Sequence, residues 1–347
     1  LNAAIAALPS NAGTAGASRY ATKEAAQFLK ARLLLNKAVY KAAPTNPTGF
    51  TAADFAAADM NTVISLVDAI TASGRFSIGA TPDTYWNNFK WDNFATSTEL
   101  IYTRGGEGAT QLGGNIGTQF YTGMGTHYNQ TFSGWNGFTT TADFYNAFES
   151  TDGRRQSDIA NFTELTGFNA GFLAGQQYKF VNGSRVEVKD RSGSPLVFTP
   201  DVSLFFSTEA KGIRTMKYPL RADQMGFNEE NEFVLMRYSD AVLMKAEAIL
   251  RGGTATGGET PLVLVNKLRT RAGLAAATAA PTLADILAER GRELYIEGWR
   301  RNDMIRFGVF NTPVQERPNK SDGYKVVYPI PAISLSSNPN LKQNFGY

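Results

Sequence analysis

The sequence predicts a mainly α fold: a scaffold of tetratricopeptide-like helical hairpins, made from both ends of the chain, that carries a large irregular loop-rich insert with a few short strands. Three observations predict it. Apolar residues recur at helical spacing on both sides of a central stretch. That stretch loses the helical period while Gly and aromatic residues rise. The closing residues 309–347 are rich in Pro and Asn.

Over 19–43, Ala25, Phe28, Leu29, Leu33 and Tyr40 fall near one face with no internal Gly or Pro, and Pro44 and Pro47 stop the helix. Thr51 and Asp54 have capping-box spacing ahead of the apolar stripe Met60, Val63, Ile64, Val67, Ile70, which ends at Gly74. Two such helices joined by a short Pro-containing loop make a hairpin, although the repeat consensus is not met. From about 75 to 231 Asn-Gly, Gly-Gly and Ser-Gly pairs punctuate the chain, and short strands are predicted at 99–103, 178–189 and 195–198. Phe180-Val181 and Val186-Glu187-Val188 flank Asn182-Gly183-Ser184, a hairpin pattern. Helices resume at 232–251, with Val234, Tyr238, Ala241, Met244 and Ala248 in a stripe, and at 259–272, with Pro261 suited to a first turn. A third spans 283–300, capped by Thr282 with Asp285 at the box position. The chain therefore reads as one domain, with scaffold at 19–74 and 232–308, insert at 75–231, and an extended tail at 309–347 packed on the scaffold.

Composition closes several routes. The 347 residues carry 34 Lys and Arg against 31 Asp and Glu, a balance that argues against nucleic acid as a partner. Cys is absent, which removes disulfides, thiolate nucleophiles and Cys-bound zinc. The one histidine, His127, has no nucleophile-elbow context beside it and is read as non-catalytic. No apolar run reaches membrane-spanning length, so membrane attachment would need a lipid or a partner. Leu1 opens an Ala-rich stretch without a basic leader or lipobox Cys, so the chain reads as starting inside a helix, with any anchor upstream. Gly105-Gly106-Glu107-Gly108 through Gly114 lacks the Lys-Ser/Thr of a phosphate loop and is read as a flexible loop.

Charge is concentrated in the last helix. Arg290, Glu293 and Glu297 share one face, with Arg300 and Asp303 following. A glycosidase carboxylate pair is one reading. The other is a structural ion-pair lattice, in which each carboxylate faces an Arg and its pKa falls, the wrong direction for a general acid. The lattice is the reading adopted, and no catalytic residue is assigned.

Five segments, in order, carry a resemblance. Arg237-Tyr238-Ser239-Asp240 leads through Leu243 to Ala246-Glu247-Ala248. Asn266-Lys267-Leu268-Arg269-Thr270-Arg271-Ala272-Gly273-Leu274 follows, then Arg292-Glu293-Leu294-Tyr295-Ile296-Glu297-Gly298-Trp299-Arg300-Arg301-Asn302-Asp303. The chain closes on Pro329-Ile330-Pro331 and Asn338 to Tyr347, and the middle contributes Gly134-Trp135-Asn136-Gly137-Phe138 with Asp152-Gly153-Arg154-Arg155. Together these resemble the SusD/RagB family of outer-membrane nutrient-binding lipoproteins. Phe345 stands where the family usually has Pro, and the family's N-terminal portion with its lipidated Cys is not in this chain. The resemblance implies a non-catalytic protein without cofactor, lipid-anchored at the extracellular face of the outer membrane. It implies capture of oligosaccharide and delivery to a SusC-like TonB-dependent transporter barrel, over which the protein acts as a lid. Peptide capture, as in RagB-like importers, is the alternative, and a glycoside hydrolase is a distant third.

The ligand-binding candidates come from physical chemistry. Tyr85-Trp86-Asn87-Asn88-Phe89-Lys90-Trp91 interleaves flat rings with amides, which suits the apolar faces and hydroxyl rims of sugars. Tyr85, Trp86, Asn87, Asn88 and Trp91 are therefore candidates, with Trp135, Asn136 and Tyr121 as further ones. The competing reading is that these rings anchor the insert onto the helices.

Overall fold

The computed structural model describes residues 1–11, 13–14, 16–105, 122–221 and 230–347. Its scaffold is built from helices α1 (Asn2–Ala7), α2 (Lys23–Leu35) and α3 (Ala57–Ala72) on the N-terminal side. The C-terminal side supplies α5 (Tyr238–Leu250), α6 (Pro261–Arg271), α7 (Leu283–Glu293) and α8 (Arg300–Arg306); α4 (Pro82–Trp86) opens the insert. Caps begin three of them: Thr22 accepts from the Ala25 N–H, Thr260 from Val263, and Thr282 and Asp285 form a reciprocal box. Helices α2 and α3 pack together and α5 lies against both, burying Phe28, Leu35, Val63, Ile64, Val67 and Met244 in one core. This core is held by burial of aliphatic side chains, each worth on the order of 1.5–3 kcal/mol.

Several boundaries differ from the sequence reading. The predicted helix at 19–43 breaks at Asn36, whose side chain donates to the Arg32 carbonyl and accepts from Arg306. The Thr51–Asp54 box caps only a 3₁₀ turn, and α3 starts at Ala57. Residues 233–237 are a strand that feeds α5, because they complete a sheet. The helix predicted to reach residue 300 ends at Glu293. Ile296 and Gly298 have φ of 61° and 80°, so the chain turns there and α8 starts afresh. The tail is not simply extended: a 3₁₀ turn at Gly323–Val326 and a helical turn at Ala332–Ser337 interrupt it.

The insert is stapled to the scaffold by β1 (Leu100–Arg104), which pairs antiparallel with β9 (Phe233–Arg237), Leu100 opposite Arg237. Strands β2 (Gln156–Ser157), β3 (Ala170–Leu173) and β8 (Arg214–Met216) form a three-stranded sheet in that order, and β4 (Gly175–Gln176) pairs with β7 (Val197–Phe198). The hairpin of β5 (Tyr178–Val181) and β6 (Ser184–Glu187) turns on Asn182 and Gly183, both at positive φ, as a two-residue turn matched to strand twist requires. A second, aromatic core fills the insert, with Phe132, Phe148, Phe162, Phe172 and Tyr218 beside Tyr85 and Trp86.

Candidate functional site

The charged segment occupies the seam between the two cores. Glu293 ends α7 fully buried, and its carboxylate accepts from Arg154 at 2.9 Å and from the guanidinium groups of Arg237 and Arg271. Arg237 reaches this point because it is the last residue of β9. There it also clasps Glu297 through two bonds, Nε at 2.8 Å and Nη2 at 2.9 Å. Lys217 approaches Glu297 at 3.3 Å from β8's far end, its ammonium 3.8 Å from the centre of the Tyr295 ring. Arg290 donates to Asp303 at 2.9 Å and to Asp240 at 2.8 Å, and Asp303 accepts from Arg306 at 2.7 Å. Arg306 in turn holds Glu247 by two bonds of 2.8 and 2.9 Å. Arg300 does not join: it is exposed and donates to the Leu287 carbonyl at 2.8 Å, because the turn after Glu293 puts it on the outer side.

Burial pushes the Glu293 carboxyl up, but Arg271, Arg237 and Arg154 outweigh it and hold it well below the usual carboxylate range. Burial likewise drives the Lys217 ammonium down to about 7, against the pull of Glu297. Glu293, held ionised by three guanidiniums, cannot deliver a proton, and it is fully buried. The seam's ion pairs join the strand pair, α5, α6 and α7. His127 is also buried. Its Nδ1 accepts from the Asn129 N–H, so Nε2 carries the proton that meets Glu209 at 2.9 Å.

The aromatic run splits into two faces. Pro82 opens α4, and the Phe89 and Lys90 N–H groups continue the turn by bonding to the Trp86 carbonyl. At 100° per residue, Tyr85, Trp86, Asn88 and Phe89 share one side and Asn87, Lys90 and Trp91 the other. The first set is sealed in the insert core. Tyr85 is 0% and Trp86 1% exposed, the indole N–H of Trp86 donates to Gly153 O at 2.9 Å, and Asn88 donates to Glu99 at 3.0 Å. As ligand contacts, Tyr85 and Asn88 are corrected by their burial; Tyr85 and Trp86 anchor the insert in edge-to-face contact, and Trp86 also borders the cleft beside it.

The second set lines a cleft of about 570 Å³. Asp83, Trp86, Asn87, Lys90, Trp91 and Asp92 line one part of it and Asp158 to Asn161 the other. Trp91 is half-buried, and neither its indole N–H nor the side-chain amides of Asn87 and Asn161 make a hydrogen bond among the described residues. The opposite wall was not foreseen from sequence; its one local sign is Asn161, a non-Gly residue at φ 65°. Trp135 is 58% exposed but lies outside this cleft. Asn136, at φ 50°, is used up: it donates to the Glu209 carbonyl and accepts from Arg214, both at 3.0 Å. Tyr121 and most of the Gly105–Gly114 loop lie outside the described residues. No described helix is long and apolar enough to cross a membrane.

A family model described as the SusD family matches residues 205–347. The starch-binding protein SusD of Bacteroides thetaiotaomicron is 30% identical over 220 residues, covering 60% of this chain and 35% of that protein. Over residues 205–347 the chain is similar to the SusD/RagB family. A SusD-like protein of Formosa agariphila is 29% identical over 160 residues, covering 40% of this chain and 29% of its own. The chain thus spans about a third of the length of these curated SusD relatives. Among solved structures, surface glycan-binding protein A of Bacteroides fluxus superposes with a TM-score of 0.65 at 19% identity, covering 98% of this chain and 66% of that one. A SusD-like protein of Bacteroides fragilis gives 0.65 at 20% identity, covering 99% and 68%. These likenesses establish the helix-rich SusD fold.

Proposed function

We propose that this protein is a non-catalytic surface binding protein that captures oligosaccharide in the Trp91 cleft. It passes that ligand to a SusC-like TonB-dependent transporter in the outer membrane, over which it acts as the extracellular lid. The observation that carries the ligand class is the pairing of a partly open indole face with unpaired amides. Trp91 offers a plane for the C–H face of a sugar ring, and Asn87 and Asn161 offer donors and acceptors to its hydroxyl rim. Asp92 and Asp158, which also line the cleft, add acceptors. Support from relatives runs the same way: one is named a starch-binding protein, and a structure of surface glycan-binding protein A from Bacteroides thetaiotaomicron holds laminarihexaose.

Titration calorimetry with α-glucan and β-glucan oligosaccharides, and with peptides of matched mass, tests the reading. Heat with at least one glycan, lost in Trp91→Ala, supports it. Heat with peptides alone replaces it by peptide capture. Co-purification of the membrane-extracted protein tests the partner: recovery without any barrel protein would remove the lid role.

A further inference from the structure

A second pocket, of about 220 Å³, lies against α7 and shares no lining residue with the Trp91 cleft. Its floor is apolar: Phe144, Phe172, Leu294 and Tyr295, with the Phe172 ring stacked on Tyr295 at 5.2 Å and edge-on to Phe144 at 6.3 Å. One wall is Ile296, whose φ of 61° is costly for a β-branched residue and turns its side chain out of the helical path. Backbone strain of this kind persists only where the surrounding structure imposes it, and Ile296 both packs against the aromatic core and lines this cavity.

Two features mark the mouth. Gly291 sits within α7 where the wall needs no side chain: a Cβ there would come 2.9 Å from Arg300 Nη1 and 3.6 Å from the Phe144 ring. Arg300 lines the pocket and is exposed; its one hydrogen bond goes to the Leu287 carbonyl, and it has no carboxylate partner among the described residues. Its neighbour Arg290 is consumed by Asp240 and Asp303. The pocket therefore joins an aromatic floor to one guanidinium with donors to spare, and Thr140 and Thr215 also line it.

We propose that this pocket binds a small aryl carboxylate, its ring against Phe144 and Phe172 and its carboxylate on Arg300. The size agrees, since a dry cavity of about 150 Å³ accepts benzene, and the remainder fits a methylene and a carboxylate. A guanidinium edge favours a planar carboxylate over a hydroxyl, and an aromatic floor favours a ring over an alkyl chain of equal mass.

Phenylacetate and its neutral analogue 2-phenylethanol are the probes, followed by calorimetry and saturation-transfer NMR on the full chain. The wild type is expected to bind phenylacetate at least about tenfold more tightly than the alcohol, the span of one charge-assisted contact. Arg300→Leu abolishes that difference while leaving alcohol affinity within about twofold. Gly291→Ala fills the wall and removes binding of both, while the melting temperature holds or rises because Ala favours a helix. No binding by the wild type up to about 10 mM, a Kd beyond which the contacts would be negligible, overturns the proposal. So does equal affinity for acid and alcohol, or binding retained in Gly291→Ala. Should that variant melt early, the Arg300→Leu comparison decides alone. Since the two clefts share no residue, either can fail with the other intact.

Discussion

Replacing Glu293 by Gln keeps the shape of the side chain and removes one charge from the centre of the seam. The carboxylate is fully buried and faces Arg154, Arg237 and Arg271. Gln offers one acceptor oxygen where Glu offers two, so at least one guanidinium loses its partner, and its amide hydrogens point at cations. Breaking a buried pair in this way costs roughly 3–5 kcal/mol. At roughly 2 °C per kcal/mol for a chain this large, the melting temperature falls about 6–10 °C. Calorimetry or circular dichroism reads this directly. The sign with pH is also set. The folded carboxyl titrates far below its unfolded value, so its contribution is present above the unfolded pKa and is lost as pH falls through the folded one. Glu293→Gln should therefore weaken the protein at neutral pH and blunt the further loss in acid. A fall of less than about 1 kcal/mol, the size expected of an exposed pair such as Lys325–Asp322, would refute this reasoning.

Other perturbations separate the remaining claims. Lys217 is held at about 7 against an ordinary 10.5, so the unfolded state binds more protons between those values and stability rises as pH climbs through that window. Lys217→Met should abolish that rise, seen as urea midpoints that no longer increase between pH 7 and 9.5. Trp91→Ala should remove glycan binding with an unchanged melting curve. Trp86→Ala should instead cost about 3–5 kcal/mol, because it empties a filled core. Thr282→Ala removes one half of the α7 capping box and should cost about 1 kcal/mol in chemical denaturation.

Much of the scaffold was legible because amphipathic helices advertise themselves. The stripe Met60, Val63, Ile64, Val67, Ile70 is buried residue for residue in α3, and the Thr282–Asp285 box caps α7. The hairpin around Asn182-Gly183 was legible for the same local reason. The helical turn in the aromatic run was not legible, since it is only five residues long and its two faces differ by packing partners far along the chain. Phe233–Arg237 followed a helical stripe in sequence yet forms a strand, because Leu100–Arg104 supplies a partner that local pattern does not contain.

The sequence by itself determined the elements whose causes are local: helix stripes, caps, turn residues, and a surplus of charge near the C-terminus that had to be neutralised. Tertiary structure alone decided which charges meet. Arg154, Arg237 and Arg271 converge on Glu293 from three distant segments, whereas Arg300, seven residues from it, turns outward. Pairing depends on where the backbone delivers each side chain: the left-handed residues Ile296 and Gly298 separate α7 from α8, so Arg300 is not carried onto the face that Arg290 and Glu293 share.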